Sequence, residues 1–146
     1  MSLSPVKTPC VGVCSTGIGD TVCRGCKRFS HEVIAWNSYS EDERAAVLAR
    51  LDTLLAQIVS RWVLIENVDL LRTQMLRQQL VFNAARHPAS WVFELLKAGA
   101  SQIDDLSVFG LCLQNKRNKQ ALQGLRVIIE KEFYALSLAH FERYFL

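Results

Sequence analysis

Four thiols lie within 17 residues of the N-terminal region, with the spacing Cys10-x3-Cys14-x8-Cys23-x2-Cys26. Short spacings let two sulfurs of one pair reach one ion, and four thiolates suit tetrahedral zinc or iron. Gly12 and Gly25 sit inside the two pairs. A glycine there lets the backbone turn tightly and aim N–H groups at sulfur. Lys7, Arg24, Lys27 and Arg28 surround the cluster and can offset the negative charge of four thiolate ligands. Free cysteines would prefer core positions, and this stretch has little core pattern. A dithiol redox pair at Cys23-Arg24-Gly25-Cys26 calls for a strand before it, a helix after it and a βαβ scaffold. A helix is arguable here; the strand and sheet are missing. The spacing therefore points to metal binding by Cys10, Cys14, Cys23 and Cys26. On spacing alone zinc is favoured, because the C-x3-C pair is unlike the run of closely spaced cysteines in ferredoxins.

Other chemistry-bearing residues form no constellation. His31 is near the cluster and reads as a solvent-facing first-turn residue, with a ligand role as the alternative. His87 precedes Pro88 and reads as a cap or terminator, and His140 as a surface residue. Cys112, between Leu111 and Leu113, reads as a buried structural cysteine in an apolar helix. Glu130 and Glu132 flank Lys131 as a solvated face, and Asp104-Asp105 opens a helix. No Ser-His-Asp order, phosphate loop, dinucleotide fingerprint or H-E-x-x-H motif is present. Four protein thiolates leave a metal no open position, so enzyme function is not the expectation.

A resemblance adds to this reading. Pro9-Cys10-Val-Gly-Val-Cys14, Val22-Cys23-Arg-Gly-Cys26-Lys-Arg28, Glu32-Val-Ile-Ala-Trp36 and Ser40-x2-Glu43-Arg44 together resemble a bacterial family of cysteine-rich proteins described as predicted iron–sulfur proteins. The resemblance covers about residues 8–51 and says nothing of residues 60–146. It implies metal or cluster binding through Cys10, Cys14, Cys23 and Cys26, and assigns no reaction. With it, zinc and an iron–sulfur cluster stand nearly level as cofactors, zinc marginally ahead.

The elements that must position the cluster follow from the rest of the chain. Residues 1–30 hold four of the five Cys, four of the seven Gly and two of the three Pro. Such a loop-built segment cannot bury a core alone, and a metal must supply the missing order. Ser30–Trp36 reads as a short helix capped by Ser30. Ser40-Glu41-Asp42-Glu43 is a capping box at the head of a stretch free of Gly and Pro to His87. Leu48, Leu51, Leu55, Ile58, Trp62 and Ile65 form one apolar face, and Val68, Leu71, Met75 and Phe82 a later, offset one. A single helix over 41–86 would run roughly 70 Å at about 1.5 Å per residue. A kink or turn between Ile58 and Asp69 is therefore expected, with Glu66-Asn67 preferred. Pro88 marks a boundary. Ser90–Ala98 reads as a helix closed by Gly99. The next helix, capped by Ser101 or Asp104, runs through Leu106, Phe109, Leu111 and Leu113. Asn115–Lys119 is a turn, and Gln120–Arg143 a final helix. No sheet is expected.

The predicted fold is all-α: a loop-built four-cysteine knuckle over 1–39 and a helical bundle over 40–146. The chain has 146 residues, half of them hydrophobic, 17 basic and 14 acidic. Its net charge of +3 is too small to diagnose a nucleic-acid partner. Residues 1–60 carry six basic and six acidic residues, and residues 61–146 carry 11 and eight. Lys116, Arg117 and Lys119 form a basic patch inside a faint helix-turn-helix pattern over 103–122, but Lys116 and Lys119 stand where the second helix needs apolar residues, and a solvated loop explains the same letters. The N-terminus has no apolar signal region, and no run reaches a membrane span. With five cysteines, an odd number, this points to a reducing cytoplasm. The expected function is a metal-binding cytoplasmic protein that acts through a protein partner or a homo-oligomer. An electron-transferring or redox-sensing iron–sulfur protein is the first alternative, and a nucleic-acid-binding regulator the second.

Overall fold

The computed structural model describes residues 8–10, 14–99, 103, 105–114 and 122–145. Among these, five α-helices and one short sheet follow in the order α1 (Ser30–Ala35), α2 (Glu41–Trp62), β1 (Val63–Ile65), α3 (Val68–Arg77), α4 (Pro88–Gly99), β2 (Leu111–Leu113) and α5 (Leu122–Phe145). No described helix is long and apolar enough to cross a membrane. The chain divides into two compact units, Met1–Leu54 with Phe133–Leu146, and Leu55–Glu132.

In the first unit, α2 starts as its residues dictate. Ser40 Oγ accepts from the Glu43 N–H at 3.1 Å, and Glu43 Oε1 accepts from the Ser40 N–H at 3.0 Å. Two otherwise orphaned donors are thus satisfied reciprocally. Helix α1 departs from expectation at its cap. Phe29, not Ser30, is the N-cap residue, and its N–H donates to Glu32 Oε1 at 2.8 Å. The backward reach of a carboxylate at the third helical position replaces the hydroxyl cap. Val47, Leu51 and Leu54 of α2 are buried. Val22, Phe29 and Phe141 form an apolar cluster, with Tyr134 and Leu138 packed against it.

The second unit corrects the all-helical expectation. α2 does end inside the expected window, at Trp62, but a strand follows rather than a kink. Val63 and Ile65 are β-branched, which favours extended backbone. β1 pairs antiparallel with β2, Val63 opposite Leu113 and Ile65 opposite Leu111. A lone ribbon of this size is marginal in water. Burial of Val63 and Leu111, 2% and 1% exposed, supplies what the pairing lacks. The bend at Glu66 stands where it was expected, and Asn67 caps α3 by accepting from the Leu70 N–H at 3.0 Å.

Residues 105–113 are therefore not a helix. Asp105 caps a 3-10 turn over Leu106–Phe109, Gly110 follows at φ 72°, and the chain then extends as β2. Gly110 O accepts from the N–H groups of Glu66 and Asn67 at 2.8 and 3.1 Å. A Cβ on Gly110 would stand 2.6 Å from Asn67 O, so both space and dihedral exclude a side chain there. Within the helix-turn-helix pattern over 103–122, the described residues Leu111–Leu113 form a strand, and the segment that would carry its second helix lies outside the described residues. Ser101, Asp104 and the basic patch at Lys116, Arg117 and Lys119 lie outside the described residues.

The remaining boundaries follow the sequence closely. His87 Nδ1 accepts from the Ala89 N–H at 3.0 Å, so His87 does cap α4. Helix α4 covers the predicted Ser90–Ala98 stretch, and α5 the last one. Val92, Leu95, Leu96, Leu125 and Ile129 are buried in this second unit.

Candidate metal centre

The cysteine region is held by a small hairpin over residues 21–30. Val22 and Phe29 form an antiparallel bridge. The Ser30 N–H bonds Thr21 O at 2.8 Å, and the Cys23 N–H bonds Arg28 O at 2.9 Å. The Lys27 N–H closes the turn on Cys23 O at 2.8 Å. The sequence reading placed the tight turn at Gly25; the residue in the left-handed region is Lys27, at φ 68°. That conformation costs a non-glycine residue about 1–2 kcal/mol. Its side chain compensates by tying the loop from within. Lys27 Nζ donates to Arg24 O at 2.5 Å and Gly25 O at 3.1 Å, and lies 5.4 Å from the centre of the Phe133 ring.

The hairpin brings Cys23 and Cys26 together, both buried. Burial pushes the Cys23 thiol up. Hydrogen bonds from the backbone of Cys26, Ser15 and Gly25 and from the Cys26 side chain outweigh it and lower the thiol from 9.0 to about 7. Burial also pushes the Cys26 thiol up, and there it prevails, although Arg28 offsets part of it by its hydrogen bond and charge. Arg28 Nε donates to Cys26 Sγ at 3.2 Å. Its guanidinium lies 4.8 Å from the centre of the Trp36 ring. Cys23 thus ionises first, while Cys26 faces a fixed cation.

The first cysteine pair is placed differently. Cys10 and Cys14 are exposed. Cys14 Sγ lies 3.0 Å from Thr16 Oγ1, and the Cys10 N–H donates to Thr8 Oγ1 at 3.3 Å. Ser15, next to Cys14, connects this arm to the hairpin twice, since its backbone bonds Cys23 and its Oγ accepts from the Arg24 N–H at 2.8 Å. Among the described residues, no group of three or more His, Cys, Asp or Glu side chains stands close enough to hold an ion. Among the described residues, hydrogen bonds bring together the second pair, Cys23 and Cys26. The donor set suits an anionic thiolate centre, because N–H groups and a guanidinium already point at two of its sulfurs.

The other candidates fall outside this arrangement. His31 is exposed, and its ring lies 4.8 Å from that of Phe145 and 5.7 Å from that of Phe29. His140 is half-buried beside Tyr144. Cys112 stands on β2, half-buried rather than in a helix, and its thiol is pushed up first by a hydrogen bond to the Glu66 carboxylate. Sequence reasoning singled out the cations around the cluster but missed the clamp that seats the hairpin. Arg50 of α2 binds Glu32 and stacks 4.0 Å from the centre of the Phe29 ring. Glu32 and Arg50 stand 18 residues apart on two different helices, so no local spacing signals the pair.

Comparison with known proteins agrees with the resemblance and does not extend it. No curated protein and no solved structure matches the chain. Residues 8–55, the segment with all four clustered cysteines, α1 and the first two-thirds of α2, match the family model described as a protein of unknown function, DUF1289.

Proposed function

We propose that residues 8–55 form a metal-binding module in which Cys10, Cys14, Cys23 and Cys26 hold one zinc ion or one iron–sulfur cluster. The observation that carries this reading is the hydrogen bonding of the second pair. Cys23 receives backbone hydrogen bonds from Ser15, Gly25 and Cys26, and Cys26 receives one from the Arg28 backbone and one from its Nε. Such bonds favour thiolate over thiol, and thiolate is the ligating form. A bound centre would supply a crosslink between the exposed Cys10 and Cys14 and the buried hairpin. With four protein sulfurs it would have no open position for substrate, so the module would act by shaping a surface. Ile18 and Ile34 of this unit are 85% and 83% exposed, and an adaptor or regulatory role through another protein or a second copy accords with them.

An electron-transferring or redox-sensing iron–sulfur protein is the second reading. Hydrogen bonds to sulfur also set the potential of such clusters, so the same observation supports it. Anaerobic purification followed by elemental analysis and visible absorption tests both. A colourless chain with one zinc supports the structural module; a brown chain with iron and sulfide supports the cluster. A reduced chain containing neither overturns the proposal. For the surface role, light scattering showing only monomer, with no partner captured, would contradict it.

A further inference from the structure

From the geometry around Cys26 we infer that Arg28 is the positioning residue of the centre: it fixes the Cys26 sulfur toward the ion and compensates the charge of the loaded site. This rests on the four-thiolate reading above. Arg28 is 4% exposed, and a buried guanidinium requires an anionic or strongly polar partner. The partner it meets is a sulfur, Cys26 Sγ at 3.2 Å from Nε. Trp36 lies under the guanidinium at 4.8 Å, so helix-side packing fixes the direction of the donor. The backbone fixes its origin, because Arg28 O accepts from the Cys23 N–H and ties the residue to the backbone of the other cysteine of the pair.

The chemical consequence is specific. A divalent ion with four thiolates carries two negative charges. A cation held at one sulfur lowers the cost of placing that charge in a buried site, and its N–H withdraws electron density from the sulfur. Arg28 therefore selects for a dianionic all-sulfur centre and against neutral sites completed by histidine or water. Loss of such a partner beyond the ligands typically weakens metal binding 10–100-fold.

Cobalt(II), titrated anaerobically into the full-length reduced chain at fixed pH, gives two readouts: affinity, and the energy of the sulfur-to-cobalt charge-transfer band. Arg28→Met keeps the aliphatic stem on Trp36 and removes the charge. It is expected to weaken cobalt binding 10–100-fold and to move the band to lower energy, because an unbonded thiolate gives up electron density more readily. Arg28→Lys, which keeps the charge, is expected to lose less affinity than Arg28→Met. A band at the wild-type energy in Arg28→Met, with or without weaker binding, would overturn the inference and leave Arg28 a packing residue. Equal losses in the Met and Lys variants would overturn it too. Should Arg28→Met fail to fold, Arg28→Gln serves as the neutral variant with the same two readouts. A wild-type chain that binds no cobalt refutes the four-thiolate reading itself, and this inference with it; wild-type binding with an indifferent Arg28 refutes this inference alone.

Discussion

Arg50 holds Glu32 by both carboxylate oxygens, Nη1 to Oε2 at 2.5 Å and Nη2 to Oε1 at 2.7 Å. Oε1 also accepts the Phe29 N–H, and the guanidinium lies over the Phe29 ring. One carboxylate thus joins Phe29 of the cysteine hairpin to α2. Glu32 is 5% exposed, so removing either partner leaves a largely buried charge. Glu32→Ala and Arg50→Ala are each expected to cost about 3 kcal/mol in urea unfolding. The double variant should cost far less than the sum. Fully additive losses would show that the two residues act independently.

The thiols make stability depend on pH. Cys23 lies below its ordinary value, at about 7 against 9.0, so between those values the unfolded chain binds more protons than the folded one. Its contribution is present above pH 9 and is lost as pH falls through 7. Cys26 lies above 9.0, so its contribution runs the other way and declines as pH rises beyond 9. The reduced, metal-free chain should therefore gain stability from pH 7 to 9 and lose it above. Denaturant midpoints across pH 6–11 check this. Ultraviolet absorbance should show a thiolate forming near pH 7 that Cys23→Ser abolishes; its persistence in that variant would contradict the assignment.

Two predictions concern the scaffold. Ser40→Ala removes the acceptor for the Glu43 N–H and should cost about 1 kcal/mol. Thermal melts check it, and an unchanged midpoint would mean that the carboxylate half of the box suffices.

Gly110→Ala meets Asn67 O at 2.6 Å and forces φ 72° on a residue with a side chain. A cost of about 3 kcal/mol is expected, from strain and clash together. If chemical denaturation shows no loss, the turn between Phe109 and β2 is more adaptable than the geometry implies.

What the sequence disclosed followed from local rules. The capping box at Ser40 and Glu43, the stop near Glu66 and the cap at His87 depend on side chains within four residues, and all stand in the structure. The ribbon was not legible. Val63–Ile65 pairs with Leu111–Leu113 across 45 intervening residues, and an apolar triplet at the end of a helical pattern reads as more helix. Asp105, Gly110 and the turn between them held a warning, since an Asp and a Gly five apart can bracket a turn as readily as a helix. At the cysteines, spacing proposed a donor set but did not encode the asymmetry between its two pairs. Burial and hydrogen bonding separate Cys23 and Cys26 from Cys10 and Cys14, and both depend on packing that spacing does not encode. Nor did the letters reveal that Arg28 and Lys27, two cations in a loop, are buried.

X-ray absorption at the metal edge of the anaerobically purified full-length chain tests the central claim most directly. One centre per chain is expected, with four sulfur neighbours at about 2.3 Å. Replacing Cys10, Cys14, Cys23 or Cys26 by Ser should cut the sulfur count or the metal content. A metal-free chain, or a shell made mainly of nitrogen and oxygen, would contradict the account.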